Sequence, residues 1–337
     1  MPVSLKDIAQ SLHLSVATVS RALNNQGRIS PKTRARVLKA MEQMHYRPNE
    51  AARALREKSS HTIGIIVPDI GNEFYARMIK GAERVAWKAG YALVVMSSIE
   101  EVEREQQTIR YMLDKRVAGL VLALLEPQCP MFEEAVQYGI PIAFVDNLPA
   151  INASYDSVVV DNRLLTYQMV KKLISMGHKR IAMLTYPSQE TSTTQRQNGY
   201  LQAMQEAQLE PNIITAGYFG REQAADAVRG LLASENRPTA VFAVNNHMAY
   251  GAMDALRAVK LSVPEDMSLC CFDAMDSTGL MLPQLTSINQ PADRFGAMAV
   301  NILLRKLASP EEGMYERLIL EPEMQWGGSI SAVAEMQ

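Results

Sequence analysis

Apolar residues recur at helical spacing in three short stretches at the start of the chain and as continuous runs thereafter, so the pattern alone divides the molecule into two parts. Ser4 can cap a first helix whose apolar positions are Leu5, Ile8, Ala9 and Leu12, ending near His13 and Leu14. Ser15 can cap a second, roughly 16–24, that buries Val19, Ala22 and Leu23 and turns Val16, Ala17, Thr18, Ser20 and Arg21 outward. After the loop from Asn24 to Gly27, Ser30-Pro31 reads as N-cap and first position of a third helix with Val37, Leu38, Met41 and Met44 as its apolar stripe. Pro48-Asn49 then breaks the pattern, and Asn49 can cap a segment over 50–57, with Ala51, Ala52, Ala54 and Leu55, too short to persist as an isolated helix in water.

Beyond Lys58 the grammar changes. Apolar runs at 63–67, 92–96, 119–124, 140–145, 158–160, 181–184, 240–244 and 268–272 alternate with amphipathic helical stretches. Uniformly apolar strands between helices predict parallel sheets covered on both faces, and the length from 61 to 337 suits two α/β halves. Ligands of such sheets bind beyond the carboxyl ends of the strands.

Charge sharpens the division. The whole chain carries a net charge of −2, but residues 1–60 hold eleven Lys or Arg against four acids, so this head is about +7 and the remainder about −9. A basic head on an acidic body is the electrostatic footprint of a DNA-binding module joined to something that does not bind DNA. The first 25 residues contain Lys6, Asp7 and Arg21 among isolated apolar positions, and no stretch is long and apolar enough to span a bilayer, which predicts a cytoplasmic protein with no membrane partner. Cys129, Cys270 and Cys271 have no zinc-ligand spacing and read as buried reduced thiols.

Enzyme signatures are missing: there is no GxGxxG after a strand, no Walker loop and no GxSxG elbow, and His13, His45, His61, His178 and His247 are scattered. His178 follows Gly177 at a helix end, where a cation is favourable for structural reasons. No cofactor or metal is expected.

The run LKDIAQSLHLSVATVSRALNN, followed by RISPKTRARVLKAMEQMHYRPN, ARAL and TIGIIVPDIGNEFYARMIKGAE, closely resembles the LacI family of repressors. So do HKRIAMLTYP, RQNGYLQAM, NNHMAYGAMDAL, FDAMDS and LPQLTSINQP, in the family's order over nearly the whole chain. The resemblance implies an all-α helix-turn-helix headpiece over 1–48, a hinge helix and linker over 49–60, and a two-lobed core over 61–337. That core is like a periplasmic sugar-binding protein, with doubly wound parallel sheets. Its first lobe would comprise about 61–160 with 291–320, and its second about 161–290 with 321–330.

In the headpiece, small Val16 and Ala17 at the leading turn would let the backbone approach base edges in the major groove. Arg21 could give two hydrogen bonds to a guanine or one to a phosphate. Ser15, Thr18, Ser20 and Asn24 suit phosphate or sugar contacts, although Ser15 could simply cap its helix; Arg28 adds charge in the following loop. Leu55 matches the family's hinge leucine, which wedges into the minor groove, with Arg56 as a groove or phosphate partner. Paired hinges imply a homodimer on a near-palindromic operator. The tail SISAVAEMQ, without a leucine heptad, gives no reason to expect a coiled-coil tetramer.

In the core, nine residues match the family's cleft-lining positions or the strand ends around them: Asn72, Phe74, Tyr75, Asp146, Arg196, Phe219, Asn245, Asp273 and Gln290. Their polar groups around aromatic walls suit a small-molecule effector, a sugar or sugar derivative first and a nucleoside or purine second. Alternatives stand beside several: Arg196 and Asp273 could form an interlobe ion pair, Phe219 could belong to the core, and Asn72 and Asn245 could be turn formers. Asn246 departs from the Asp usual in the family's NDxMAxG motif, and Cys270-Cys271-Phe272 replaces its glycine-containing approach to the following aspartate.

Overall fold

The computed structural model describes residues 3–23, 27, 29–46, 60–217, 220–234, 236–274, 280, 282–309 and 314–333, and the chain forms two compact units, 1–60 and 61–337. In the first unit α1 (Leu5–Leu12), α2 (Val16–Leu23) and α3 (Pro31–Gln43) pack around Ile8, Ala9, Val19, Ala22, Val37, Ala40 and Met41. Ser4 and Asp7 close a capping box: Asp7 N donates to Ser4 Oγ at 3.3 Å and Ser4 N to Asp7 Oδ2 at 2.8 Å. His13 ends α1 in the left-handed region, with φ of 51°. Ser30 caps α3 by accepting from Thr33 N at 3.1 Å, with Pro31 at the first helical position. Leu38 departs from its expected place: it is 46% exposed, and Ala40 takes the buried position, because Leu38 lies about 100° around the helix from Val37.

The second unit contains two six-stranded sheets. The first joins β1 (Thr62–Val67), β2 (Ala92–Ser97), β3 (Gly119–Leu122), β4 (Ile142–Val145), β5 (Asp156–Val159) and β11 (Arg317–Ile319) in the order β11-β5-β4-β3-β1-β2, all parallel. The second joins β6 (Ile181–Thr185), β7 (Asn212–Thr215), β8 (Ala240–Ala243), β9 (Ser268–Phe272), β10 (Thr286–Asn289) and β12 (Glu323–Gln325) in the order β12-β10-β9-β8-β6-β7, with β12 antiparallel. Helices α4 (Glu73–Lys88), α5 (Val102–Asp114), α6 (Met131–Gln137) and α11 (Ala292–Ala308) belong to the first lobe; α7 (Asn162–Ser175), α8 (Thr191–Glu206), α9 (Arg221–Leu232) and α10 (Asn246–Ala258) to the second. The chain passes between the sheets three times, after β5, β10 and β11. Burial on β1 shows why these runs are strands: Ile63, Ile65 and Val67 join the core under α4 and α11, while Ile66 joins Ile109 and Met112 on the opposite face.

Three expectations change. Strand β2 is a sheet edge, leaving Val94 and Val95 38% and 36% exposed where full cover was expected. Strands β7, β10, β11 and β12 have no long apolar run because each mixes in Asn, Thr, Arg, Glu or Gln and is held by its neighbours in the sheet. His178 is buried, pairing through Nδ1 with Thr239 Oγ1 and through Nε2 with the Ser331 carbonyl, both at 2.9 Å. Burial lowers its pKa, so the ring is a neutral structural bridge rather than a helix-end cation. All three cysteines are buried and free, and burial pushes the Cys129 thiol up to about 12.

Candidate functional site

Two constellations collect the residues singled out above. On the headpiece, Ser15 Oγ accepts from Thr18 N at 3.1 Å and lies 2.8 Å from Thr18 Oγ1, so both hydroxyls are engaged at the start of α2. Burial of Val19 and Ala22 leaves Val16, Ala17 and Arg21 exposed, with Thr18 and Ser20 half-buried at the flanks. Ala17 and Arg21 are four residues apart and share one open side of the helix. Asn24, Arg28, Leu55, Arg56 and the whole 50–57 segment lie outside the described residues, as does Phe219.

In the core the carboxyl ends of both sheets meet at a narrow cleft. Asn72, Phe74, Tyr75, Asp146, Arg196, Asn245, Asp273 and Gln290 all line it. Asp146 follows β4 and Asp273 follows β9, the third strands in from the β11 and β12 edges, so the two aspartates hold equivalent places. Both adopt left-handed backbone, φ 62° and 57°, a conformation Asp tolerates. Asp146 Oδ2 accepts from Tyr75 Oη at 3.3 Å, and its Oδ1 is buried without a partner. Asp273 accepts from Gln290 N at 2.9 Å and from Gln290 Nε2 at 2.8 Å, leaving Gln290 Oε1 buried and unpaired.

Arg196 is 5% exposed. Its Nε donates to Asn162 Oδ1 at 2.8 Å, its Nη1 to the Val244 carbonyl at 2.7 Å, and its guanidinium stacks 3.8 Å from the centre of the Phe272 ring. Arg196 and Asp273 therefore share the second lobe, and the interlobe ion pair is replaced by these contacts. Asn72 and Asn245 are N-caps, accepting from Phe74 N at 3.0 Å and Met248 N at 2.9 Å. Asn72 also reaches across the cleft: its amide and that of Asn246 exchange hydrogen bonds at 3.4 and 3.3 Å. The first lobe also caps α8 from outside, where Ser192 N donates to Asn147 Oδ1 at 3.0 Å, and Leu148 N donates to Thr191 Oγ1 at 2.8 Å.

Burial raises every carboxyl group here. Asp273 is pushed up to about 6 against the pull of Arg196 and Gln290, Glu190 to about 7 and Glu100 to about 8, the last aided by the neighbouring charges of Glu190 and Asp69. Burial raises Asp146 as well, opposed by Arg196, Tyr75 and Gln290. Each folded value lies above that of the unfolded chain, so the folded protein holds more protons between the two, and stability is lost as pH rises through the folded values. The melting temperature of the unliganded protein should therefore increase when pH is lowered from 8 to 6, and Glu190→Gln should flatten that slope. A slope that Glu190→Gln leaves unchanged would contradict the burial of that group.

A family model described as bacterial regulatory proteins of the lacI family matches residues 4–49, and one described as periplasmic binding proteins and sugar binding domain of the LacI family matches 60–321. The chain belongs to the LacI family. It is 33% identical over 330 residues to the ribose operon repressor of Escherichia coli (strain K12), covering 97% of this chain and 99% of that relative. It is 32% identical over 337 residues to the HTH-type transcriptional repressor PurR of Haemophilus influenzae (strain PittEE), covering 98% and 99%. The crystal structure of the lac repressor dimer bound to operator and the anti-inducer ONPF matches with a TM-score of 0.86 at 26% identity, covering 98% of this chain and 100% of that one. This LacI-family chain is a DNA-binding repressor by kinship, and not an enzyme.

Its departures from the family pattern now have a physical setting. An Asp at 246 could accept from Asn72 but not return a hydrogen bond; the amide makes the exchange across the cleft reciprocal. Cys270 and Cys271 are wholly buried on β9, between β8 and β10. Pattern reading missed Tyr186, Glu190 and Glu100 in the cleft wall, where Tyr186 Oη donates to Glu190 Oε2 at 2.6 Å, and it missed Asn162, which holds Arg196 in place. The signal for Glu190 was its position in a polar run directly after β6, at the carboxyl end of a central strand.

Proposed function

We propose that this protein is a transcriptional repressor that binds a near-palindromic operator as a homodimer, and that a sugar or sugar derivative bound in the core cleft changes its affinity for DNA. The observation that carries the ligand half is the pair of orphaned buried acceptors, Asp146 Oδ1 and Gln290 Oε1, on side chains that line the cleft. An unpaired buried polar atom costs about 1 to 3 kcal/mol, so a ligand hydroxyl that meets it gains that much in affinity. Tyr75 and Tyr186 supply aromatic wall, and burial keeps both hydroxyls protonated, each donating its hydrogen to an acid of the cleft, Asp146 and Glu190. Arg196 Nη2, used by neither of the bonds above, is the edge of the guanidinium left for a ring oxygen or hydroxyl.

The DNA half rests on the exposed Val16, Ala17 and Arg21 of α2, with Leu55 and Arg56 assigned to the minor groove by likeness to the family. For the homodimer, the apolar edge strand β2 offers Val94 and Val95, and Ile70 and Ile99 at the ends of β1 and β2 are more than half exposed. Selection of duplexes from a random pool by the full chain tests the DNA half and should return a two-fold symmetric site. Arg21→Ala should relax the preference at one base of each half-site, whereas Arg56→Ala should weaken binding to all sequences and lower the salt slope by about 1. Equal losses over all sequences in both variants would sink the assignment of Arg21 to a base edge.

A further inference from the structure

We propose that the ligand is an amine-bearing polyol, an amino sugar in its protonated form, whose ammonium sits between Glu100 of the first lobe and Glu190 of the second while its hydroxyls meet Asp146, Asp273 and Gln290. This rests on the reading of the cleft as the effector site. Among the described residues four carboxylates line that cleft, Glu100, Asp146, Glu190 and Asp273, and Arg196 is the only cation. Among the described residues no Lys, Arg or His nitrogen stands within 4.0 Å of any of the four. Arg196, held against Asn162, Val244 and the face of Phe272, draws on Asp146, Asp273 and Glu190, but it is one positive charge against four acids.

A second observation is independent of charge. The orphaned atoms are both acceptors, on side chains only 8% and 2% exposed, Asp146 Oδ1 and Gln290 Oε1. A phosphate or carboxylate ligand would set acceptors against acceptors, whereas hydroxyls and an ammonium bring only what these atoms lack. Glu190 is arranged to the same effect: the hydrogen bonds from Tyr186 and Thr193 both fall on Oε2, at 2.6 and 3.1 Å. Its charge is felt by Glu100 on the opposite lobe, so the two acids repel across the cleft when both are ionised, and a cation between them draws the lobes together. A metal ion is a poorer occupant, because among the described residues no three His, Cys, Asp or Glu converge to hold one. A neighbouring hollow shares Glu100, Tyr186 and Glu190, adds Glu126 and has no basic residue among the described residues of its wall, giving a cationic ligand an acidic approach.

Calorimetric titration of the full chain decides the matter with matched pairs: glucose and glucosamine, galactose and galactosamine, mannose and mannosamine, each with the 6-phosphate of the neutral sugar. For at least one pair the amino sugar should bind about tenfold to a hundredfold more tightly than its neutral partner, and the phosphates should not bind. Glu190→Gln and Glu100→Gln should each remove that preference while neutral sugar binding persists. Equal binding of neutral and amino members, tighter binding of a phosphate, or a preference that survives both substitutions would overturn the ammonium assignment and leave the cleft as a sugar site. If no member of any pair binds, this proposal and the sugar reading fall together.

Discussion

Replacing Arg196 by alanine is expected to abolish the effect of ligand on operator affinity while leaving the unliganded protein able to bind operator. Its expected cost in stability follows from the same contacts. Without the guanidinium, Asn162 Oδ1 and the Val244 carbonyl lose their donors, and the Phe272 ring loses its stacked cation. Two buried acceptors left unpaired and one lost stacking contact should lower the stability of the core by about 3 kcal/mol or more. That corresponds to a fall in melting temperature of about 6 to 12 °C. Lysine at this position keeps the charge but has neither the planar fork nor the flat face, so Arg196→Lys should recover only part of the stability. The separation of roles is the test. A variant that binds operator and still responds fully to ligand would remove Arg196 from the site, and one that melts normally would deny its structural contacts.

Gly296→Ala should be the most damaging small substitution in the core. A Cβ built on Gly296 overlaps the Met78 carbonyl oxygen and lies 2.8 Å from Ala82 N, and one built on Gly81 overlaps the carbonyl of Asp293. Helices α4 and α11 thus touch backbone to backbone at two glycines, and no flexible side chain is available to yield. The expected loss is about 3 kcal/mol or more, read from urea denaturation. Gly81→Ala should cost a similar amount, and the double variant less than the sum, because one separation of the helices relieves both overlaps. The displacement also reaches the cleft, since α4 carries Phe74 and Tyr75. A Gly296→Ala protein with unaltered unfolding would mean that the helices do not approach this closely.

Much of this architecture was readable from pattern. Helix caps at Ser4, Ser15 and Ser30 are local chemistry. The apolar runs of β1, β3, β4, β6, β8 and β9 mark strands buried on both faces, which no solvent-facing helix would tolerate. Strands such as β10 and β12 were not readable, because three or four mixed residues become a strand only through partners far away in the chain. Within the cleft, Asp146, Asp273 and Gln290 could be found because they end strands or begin a crossover. Glu100 and Glu190 could not be found as a pair: they come from loops on different lobes, and only folding brings their charges within reach of each other. The assignment of Arg196 to the cleft was legible by likeness, but its partners Asn162, Val244 and Phe272 come from three separate elements and required the structure.

The central claim is that occupancy of the cleft is coupled to DNA affinity, and fluorescence anisotropy with a duplex selected by the protein itself tests it most directly. Titrations of the full chain would be run with and without a saturating concentration of the sugar that calorimetry shows to bind, alongside Arg196→Ala. The account predicts a change in operator affinity of about fivefold or more on adding the sugar, the usual scale of allosteric coupling, and no change in the variant. Identical titrations with and without a sugar that is demonstrably bound would contradict it.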